Sequence, residues 1–228
     1  LRAIVSGVTI LECYYCGALK IQTKRRLQKS LKAQQGLFIE TNQKVFKKIS
    51  YGEKDKGLLC IAYFQLKNLN DLNNHHPALF VVLEGIEKPG NIGAILRTCD
   101  AVGASGVILT EASTDITNPN IIRASLGAIF SVDTVMSHNK KVYEFFMRHK
   151  VRILASSPGA KQSYTKMNLK QSLAIVVGSE DKGVSSFWKK AADDLMAIPM
   201  KGRGDSLNVS TSSAIILYEA LRQRSSTN

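Results

Sequence analysis

Short, mostly apolar segments alternate with helical patterns through the carboxyl-terminal two-thirds of this chain of 228 residues. Segments of four or five apolar residues without polar alternation are typical of strands that are buried on both faces. These segments are Leu79–Leu83, Gly106–Leu109, Leu173–Val177 and Leu195–Ile198, together with Val151–Ala155, which is interrupted only by Arg152. The alternation predicts an α/β fold, with a parallel sheet covered by helices on both faces.

The helical patterns between and after these strands have recognisable starts and apolar faces. Asn118-Pro119-Asn120 opens one helix, since proline is favoured in a first helical turn. We expect this helix to carry Ile121, Ile122, Leu126 and Ile129. The other predicted helices pass through Leu96 and Val102, through Val142 and Met147, and through Ala214 and Leu221.

The polar, Asn-rich stretch from Lys67 to Pro77 has the composition of a linker between compact units. It predicts a boundary between residues 1–76 and residues 77–228. The first unit contains a basic helix or loop, Lys20–Leu31, and two strand-like segments, Leu37–Ile39 and Leu58–Phe64. We therefore expect a small α/β domain before the larger one.

The charge is strongly positive and uneven. The chain has 31 Lys and Arg against 18 Asp and Glu, a net charge of +13, and residues 1–76 hold a net +8 from 13 basic and 5 acidic side chains. A field of this sign attracts polyanions, of which nucleic acid is the commonest. A basic surface that only confers solubility is the alternative, but the concentration of charge in the smaller unit favours RNA.

The four cysteines predict free thiols rather than a disulfide framework, and hence a reducing, cytoplasmic location. Cys13 and Cys16 have Cys-x-x-Cys spacing, but Cys60 and Cys99 stand alone, so neither a metal site nor a redox pair is expected. No apolar run approaches the ~20 residues that span a bilayer. The chain opens at Leu1 rather than Met, so we expect the native amino terminus to be incomplete.

Several common catalytic motifs are absent. The sequence has no Gly-x-x-x-x-Gly-Lys-[Ser/Thr] phosphate loop, no Gly-x-Gly-x-x-Gly fingerprint and no Gly-x-Ser-x-Gly elbow. None of its four histidines lies beside a plausible nucleophile. These absences disfavour nucleoside triphosphate hydrolysis, dinucleotide redox chemistry and catalytic-triad hydrolysis.

Three loop segments each follow a strand pattern and precede a helical one, where ligands bind in open α/β sheets. They are Pro89–Arg97, Gly178–Gly183 and the run from Ile198 to Ser210. The polar residues allow two interpretations, because Asn91, Ser206 and Asn208 are good helix caps as well as candidate ligands. Arg97 lies among apolar helix residues, so its guanidinium needs a partner, either a phosphate or carboxylate of a ligand or a structural ion pair.

The same three segments resemble the signature motifs of the TrmH (SpoU) branch of the SPOUT RNA methyltransferases. The matching stretches are Pro89-Gly90-Asn91-Ile92-Gly93-Ala94-Ile95-Leu96-Arg97, Gly178-Ser179-Glu180-Asp181-Lys182-Gly183, and Ile198-Pro199-Met200 with Ser206-Leu207-Asn208-Val209-Ser210. Their order and spacing match, and the resemblance covers residues 77–228. The basic region before them is similar, more weakly, to that family's RNA substrate-binding domain.

The resemblance implies an RNA 2′-O-methyltransferase that uses S-adenosylmethionine, works as a homodimer and has a carboxyl-terminal trefoil knot. No metal is expected, because no carboxylate cluster has the spacing of a metal site. Ribosomal RNA is the expected target, with transfer RNA or a catalytically inactive RNA-binding protein as alternatives. By position, the implied catalytic residues are Asn91, Arg97, Glu180, Ser206 and Asn208. The implied cofactor-binding residues are Gly178, Ser179, Gly183, Ile198, Met200 and Leu207, and the expected RNA-binding residues are Lys24, Arg25 and Arg26.

Arg97 has a restricted chemical role in such a reaction. A guanidinium keeps its proton in proteins, so it is not an ordinary base for the ribose hydroxyl. We expect it to act by electrostatic positioning, with help from a substrate phosphate. The sequence departs from the family pattern at Lys88, where an acidic or amide residue is frequent, and at Asp181, where glycine is frequent.

Overall fold

The chain forms two compact units, Leu1–Gln65 and Leu66–Asn228. The computed structural model describes residues 2–17, 19–51, 57–72 and 75–225. The division lies earlier than the predicted boundary at residue 76, because most of the predicted linker packs on the second unit. Leu72 is buried in the core of that unit, and Lys67 forms an ion pair with Asp133 at 2.6 Å. Asn73 and Asn74, also in the predicted linker, lie outside the described residues.

The first unit is a small α/β domain, as predicted. Its elements are α1 (Arg2–Val5), β1 (Thr9–Tyr15), α2 (Ile21–Ala33), β2 (Leu37–Glu40), α3 (Gln43–Ile49) and β3 (Leu58–Tyr63). The strand order is β2-β1-β3, with β1 parallel to β2 and antiparallel to β3. The basic segment is a helix, α2, which buries Leu27 and Leu31 against Ile10 and Cys13. The basic side chains are left on its other faces.

The cysteines are free, but they are not all packed inside. Cys13 and Cys99 are buried, whereas Cys60 is exposed. Cys13 and Cys60 face each other across β1 and β3, with their sulfur atoms 3.5 Å apart. The thiol in contact with Cys13 therefore comes from another strand of the sheet.

The second unit contains a seven-stranded sheet in which every strand pairing is parallel. The strand order is β6-β5-β4-β9-β7-β10-β8. Its strands are β4 (Leu79–Glu84), β5 (Gly106–Thr110), β6 (Thr134–Ser137), β7 (Arg152–Ser156), β8 (Gln162–Ser163), β9 (Leu173–Gly178) and β10 (Asp194–Ala197). Its helices are α4 (Pro89–Val102), α5 (Pro119–Ala124), α6 (Asn139–Arg148), α7 (Ser186–Ala191) and α8 (Val209–Ser225).

The helices cover both faces of this sheet. One group consists of α4, α5 and α8, and a second consists of α6 and α7. All residues of β4 and β5 are buried, as expected for parallel strands between two helical layers. The predicted α/β class is confirmed. The trefoil knot stays a prediction, because strand order and register do not define how the chain threads.

One predicted helix is shorter than its apolar pattern suggested. The helix that begins at Pro119 ends at Ala124, and Leu126 and Gly127 have positive φ angles of 50° and 88°. Leu126 is exposed, while Ile129 is buried in a separate short 3-10 helix. Positive φ angles are incompatible with a right-handed helix, so the helix ends before Leu126. Its last residue packs closely on α4, since a Cβ atom on Gly93 would lie 2.4 Å from the Ala124 Cβ.

The amino-terminal edge of the sheet is closed by hydrogen bonds from polar side chains to backbone. Arg224, near the end of α8, donates to the carbonyl oxygens of Leu169, Pro77, Ala78 and Gln171. Three other side chains also bond to backbone here, and each accepts one N–H: Ser172 from Ala78, Ser105 from Leu79 and Asp193 from Ile153. None of the described helices is both long and apolar enough to cross a membrane.

Candidate active site

A cavity of about 320 Å³ lies at the opposite, carboxyl-terminal edge of the sheet. The loops after β7, β9 and β10 surround it, and these three strands are neighbours in the sheet. The cavity is lined by Ser156, Ser157, Pro158, residues 177–184, Lys189, Ile198, Met200, Asp205, Ser206, Leu207, Val209 and Ser212. All six predicted cofactor-binding residues are among them, so the structure brings that set together.

The Gly178–Gly183 loop folds back on itself at the end of β9. The Gly183 N–H donates to the Ser179 carbonyl oxygen at 2.8 Å, and Gly183 has a φ of 62°, in the region that favours glycine. A Cβ atom on Gly178 would lie only 2.0 Å from the Gly183 carbonyl carbon. No side chain fits at position 178 without opening the loop, and this leaves the loop backbone facing the cavity.

Three side chains connect the three motif segments, the first of which forms the start of α4. The Asn91 amide nitrogen donates to Glu180 Oε1. The Asn208 amide nitrogen donates in turn to Asn91 Oδ1 at 3.3 Å. The Lys88 ammonium lies 3.8 Å from Glu180 Oε1. Segments more than a hundred residues apart in sequence therefore meet in one polar cluster beside the cavity.

The helix-cap interpretation is right for one of the candidate residues. Asn208 Oδ1 accepts from the Ser210 N–H at 2.9 Å and from the Ser210 hydroxyl at 2.6 Å, at the start of α8. Asn208 thus caps a helix with its oxygen and reaches Asn91 with its nitrogen. Asn91 itself caps nothing, because α4 begins at Pro89 and its first turn has no side-chain cap. Ser206 is exposed and lines the cavity.

The structure corrects the reasoning about Arg97. Although it follows Ile95 and Leu96, Arg97 is on the exposed side of α4, so burial does not force it to have a partner. Within the described ranges no hydrogen bond or ion pair engages its guanidinium. It does not line the cavity either. The side chain is therefore accessible to a ligand from solvent.

The sequence reasoning missed the loop after β7 and one acidic residue. Ser156, Ser157 and Pro158 form one wall of the cavity, and Asp205 lies beside Ser206. The signal for the loop was available, because Ser156-Ser157-Pro158 follows the apolar residues of a strand just as the other loops do. It was overlooked because the loop belongs to none of the recognised motifs.

The predicted RNA-binding residues lie on α2 of the first unit. Arg25 and Arg26 are exposed and Lys24 is half-buried. The Lys24 ammonium lies 4.8 Å from the centre of the Tyr15 ring. Its contact with the Tyr15 side chain raises the pKa of Lys24. In the described part of the chain, no group of three or more His, Cys, Asp or Glu side chains has the arrangement of a metal site.

Comparison with known proteins gives a consistent result. The model of the SpoU rRNA Methylase family matches residues 78–218. The 23S rRNA (guanosine-2′-O-)-methyltransferase RlmB of Ralstonia nicotianae is 30% identical over 209 residues, 88% of this chain and 84% of that protein.

Two crystal structures are similar over almost the whole chain. One, of an RNA 2′-O ribose methyltransferase, is 35% identical with a TM-score of 0.83, and the match covers 98% of this chain and 84% of that one. The other, the AdoMet-bound rRNA methyltransferase of Sinorhizobium meliloti, is 27% identical with a TM-score of 0.85, covering 97% and 85%.

Proposed function

The chain belongs to the SpoU rRNA methylase family, and from that premise we propose how its site works as an S-adenosylmethionine-dependent RNA 2′-O-ribose methyltransferase. The observation that carries the proposal is the convergence of two motif segments on one cavity, with Asn91 of the third segment hydrogen-bonded to Glu180 in the cavity wall and to Asn208. We propose ribosomal RNA as the substrate, which the similarity to RlmB supports.

The cavity fits S-adenosylmethionine in size and in chemistry. Its volume of about 320 Å³ is in the range of small-molecule sites. Ile198, Met200 and Leu207 offer apolar surface, and the turn at Gly178 offers backbone donors and acceptors. Glu180, Asp181 and Asp205 contribute carboxylates suited to a cationic ligand. When bound, the cofactor supplies a methyl group already activated by its sulfonium.

The remaining task for the protein is to orient the ribose hydroxyl toward that methyl group. The hydrogen-bonded cluster of Asn91, Glu180 and Asn208 is a fixed polar frame, while the exposed hydroxyl of Ser206 is available to the substrate. Arg97 is exposed and has no ion pair among the described residues, so its fork is free for an RNA phosphate. It positions the nucleotide and stabilises developing charge.

Exchange of Arg97 for lysine tests this role. Lysine keeps the charge but loses the planar fork, so we expect Arg97→Lys to lower turnover roughly 100-fold. Cofactor affinity should be unchanged, because Arg97 does not line the cavity. Transfer of labelled methyl to bulk RNA measures turnover, and calorimetry measures cofactor affinity. Near-normal turnover in this variant would remove Arg97 from the mechanism.

Calorimetry of S-adenosylmethionine binding to the unmodified protein distinguishes the proposed enzyme from the main alternative. A catalytically inactive RNA-binding member of the same fold would bind RNA without binding S-adenosylmethionine. Mapping ribose methylation across ribosomal and transfer RNA in a strain that lacks the protein identifies the substrate. Loss of a methylated nucleotide from transfer RNA alone would overturn the ribosomal assignment.

RNA binding by the first unit is supported by the exposed basic side chains of α2, among them Arg25 and Arg26. Such contacts make RNA affinity fall steeply with salt.

We also propose that the enzyme is a cytoplasmic homodimer. Support for a dimer comes from large apolar side chains left exposed on the second unit, including Leu126 and Tyr218. Light scattering measures the oligomeric state directly.

A further inference from the structure

One buried carboxylate beside the cavity has no part in the mechanism described above. Glu84, the last residue of β4, is only 5% exposed. Its partners in the sheet are Thr110 on β5 and Gly178 on β9. A carboxylate in such a place is costly unless hydrogen bonds compensate for its lost hydration. What it bonds to therefore indicates what it is for.

Both carboxylate oxygens accept hydrogen bonds from neutral donors that lie beyond the end of the sheet. Glu84 Oε2 accepts from the Ser185 N–H at 2.7 Å. Glu84 Oε1 accepts from the Asn139 amide nitrogen at 2.7 Å, and Asn139 Oδ1 accepts from the Trp188 indole N–H at 2.7 Å. Trp188 is fully buried. The chain of bonds thus joins β4 to the starts of α6 and α7.

These bonds hold both ends of the Gly178–Gly183 loop. At the entry, Gly178 pairs with Glu84 in the sheet. At the exit, Ser185 is bound by the Glu84 carboxylate. We infer that Glu84 is a positioning residue, whose carboxylate fixes the loop that lines the cofactor cavity and carries Glu180. This inference rests on the proposed function, since it assigns to that loop a role in S-adenosylmethionine binding.

The direction of each hydrogen bond makes the inference testable. In Glu84→Gln, one side-chain group becomes a donor, and it meets either the Ser185 N–H or the Asn139 amide nitrogen. If the Asn139 amide rotates so that its oxygen faces residue 84, its nitrogen faces the Trp188 indole N–H, and two donors meet there instead. In Asn139→Asp, two carboxylates meet instead. In the double variant Glu84→Gln with Asn139→Asp, the glutamine nitrogen donates to the aspartate and every bond has a donor and an acceptor again.

The experiment measures S-adenosylmethionine affinity by calorimetry in the unmodified protein and the three variants. We expect each single substitution to weaken binding by about tenfold or more, because a buried group loses its partner. The double variant should return to within about threefold of the unmodified protein. In the apo protein, hydrogen exchange at the Ser185 amide should accelerate in the single variants and slow again in the double variant.

Asp193→Leu is the control, because leucine has nearly the shape of aspartate but no acceptor. Asp193 also accepts a backbone N–H at 2.7 Å, from Ile153, but it does so at the opposite edge of the sheet. We expect this variant to lose thermal stability with its cofactor affinity unchanged. If Glu84→Gln behaves like Asp193→Leu, or if the double variant is no better than the singles, Glu84 is structural only and the inference is wrong. Absence of binding by the unmodified protein would instead contradict the proposed function.

Discussion

Polar side chains at the two edges of the seven-stranded sheet have different main roles. At the amino-terminal edge, Arg224, Ser172 and Asp193 are bonded to backbone groups of the strands and their connections. At the carboxyl-terminal edge, the polar side chains of Asn91 and Glu180 are bonded to each other and lie beside a cavity. The three side chains at the first edge satisfy backbone groups, whereas Asn91 and Glu180 at the second are available to a ligand.

This difference separates stability from function within one sheet. A residue that bonds only to backbone contributes to folding, and its loss should be felt as a lower free energy of unfolding. A residue that shapes the cavity should be felt as weaker binding or slower turnover. Substitutions at the two edges therefore give a direct test of whether the division is real.

The largest effect is expected at the carboxyl-terminal edge, from Gly178→Ala. The added methyl group has no room beside the Gly183 backbone, so the loop must open and the cavity changes shape. We expect S-adenosylmethionine affinity to fall by more than roughly 100-fold, a loss comparable to that from strongly strained backbone. Calorimetry measures it. Gly159→Ala is the control, since nothing lies within 4 Å of a Cβ atom at that position.

The next effect is expected at the amino-terminal edge, from Arg224→Met. Methionine keeps much of the side-chain volume but leaves four carbonyl oxygens without their donor. We expect a loss of about 3 kcal/mol in the free energy of unfolding, measured by urea denaturation. Cofactor affinity, corrected for the unfolded fraction, should stay the same. If Arg224→Met lowered the free energy of cofactor binding by more than the free energy of unfolding, the proposed separation of stability from function between the two edges would be wrong.

The smallest effect comes from Asn208→Asp, which sharpens the comparison within a single side chain. Aspartate is as good a helix cap as asparagine, so the free energy of unfolding should change by less than ~0.5 kcal/mol. The donor to Asn91 is lost, however. We expect turnover to fall by about tenfold, the effect of one missing hydrogen bond. Equal activity in the two proteins would mean that Asn208 is only a cap.

Much of the second unit could be predicted because each of its central strands appears in the sequence as a short apolar run. The runs around Val81 and Ile175 are buried on both faces, and burial is what an unbroken apolar run records. The order of the strands could not be predicted, since no local pattern states that β9 lies between β4 and β7. The helix after Pro119 was predicted too long, because an apolar pattern at helical spacing does not show that the backbone becomes left-handed at Leu126 and Gly127.

The candidate site was predicted through its motifs, and its contacts were not. The glycine at 178 and the amides at 91 and 208 are visible in the sequence, but the hydrogen bonds among them depend on three separate loops meeting. Glu84 had no sequence signal, as it ends an apolar strand and is the residue type least expected in a core. Arg97 was predicted to lie among apolar side chains because its neighbours in sequence are apolar. On a helix, however, adjacent residues point in different directions.

The pairing of β4 with β9 has a consequence for how the protein is made. Leu79 lies beside Leu173, so the centre of the sheet closes only after most of the chain has left the ribosome. The strands of the first unit pair within residues 9–63 and complete their sheet much earlier. Contacts of long sequence separation form slowly, and a nascent chain that stalls before β9 exposes an apolar, unpaired edge to aggregation.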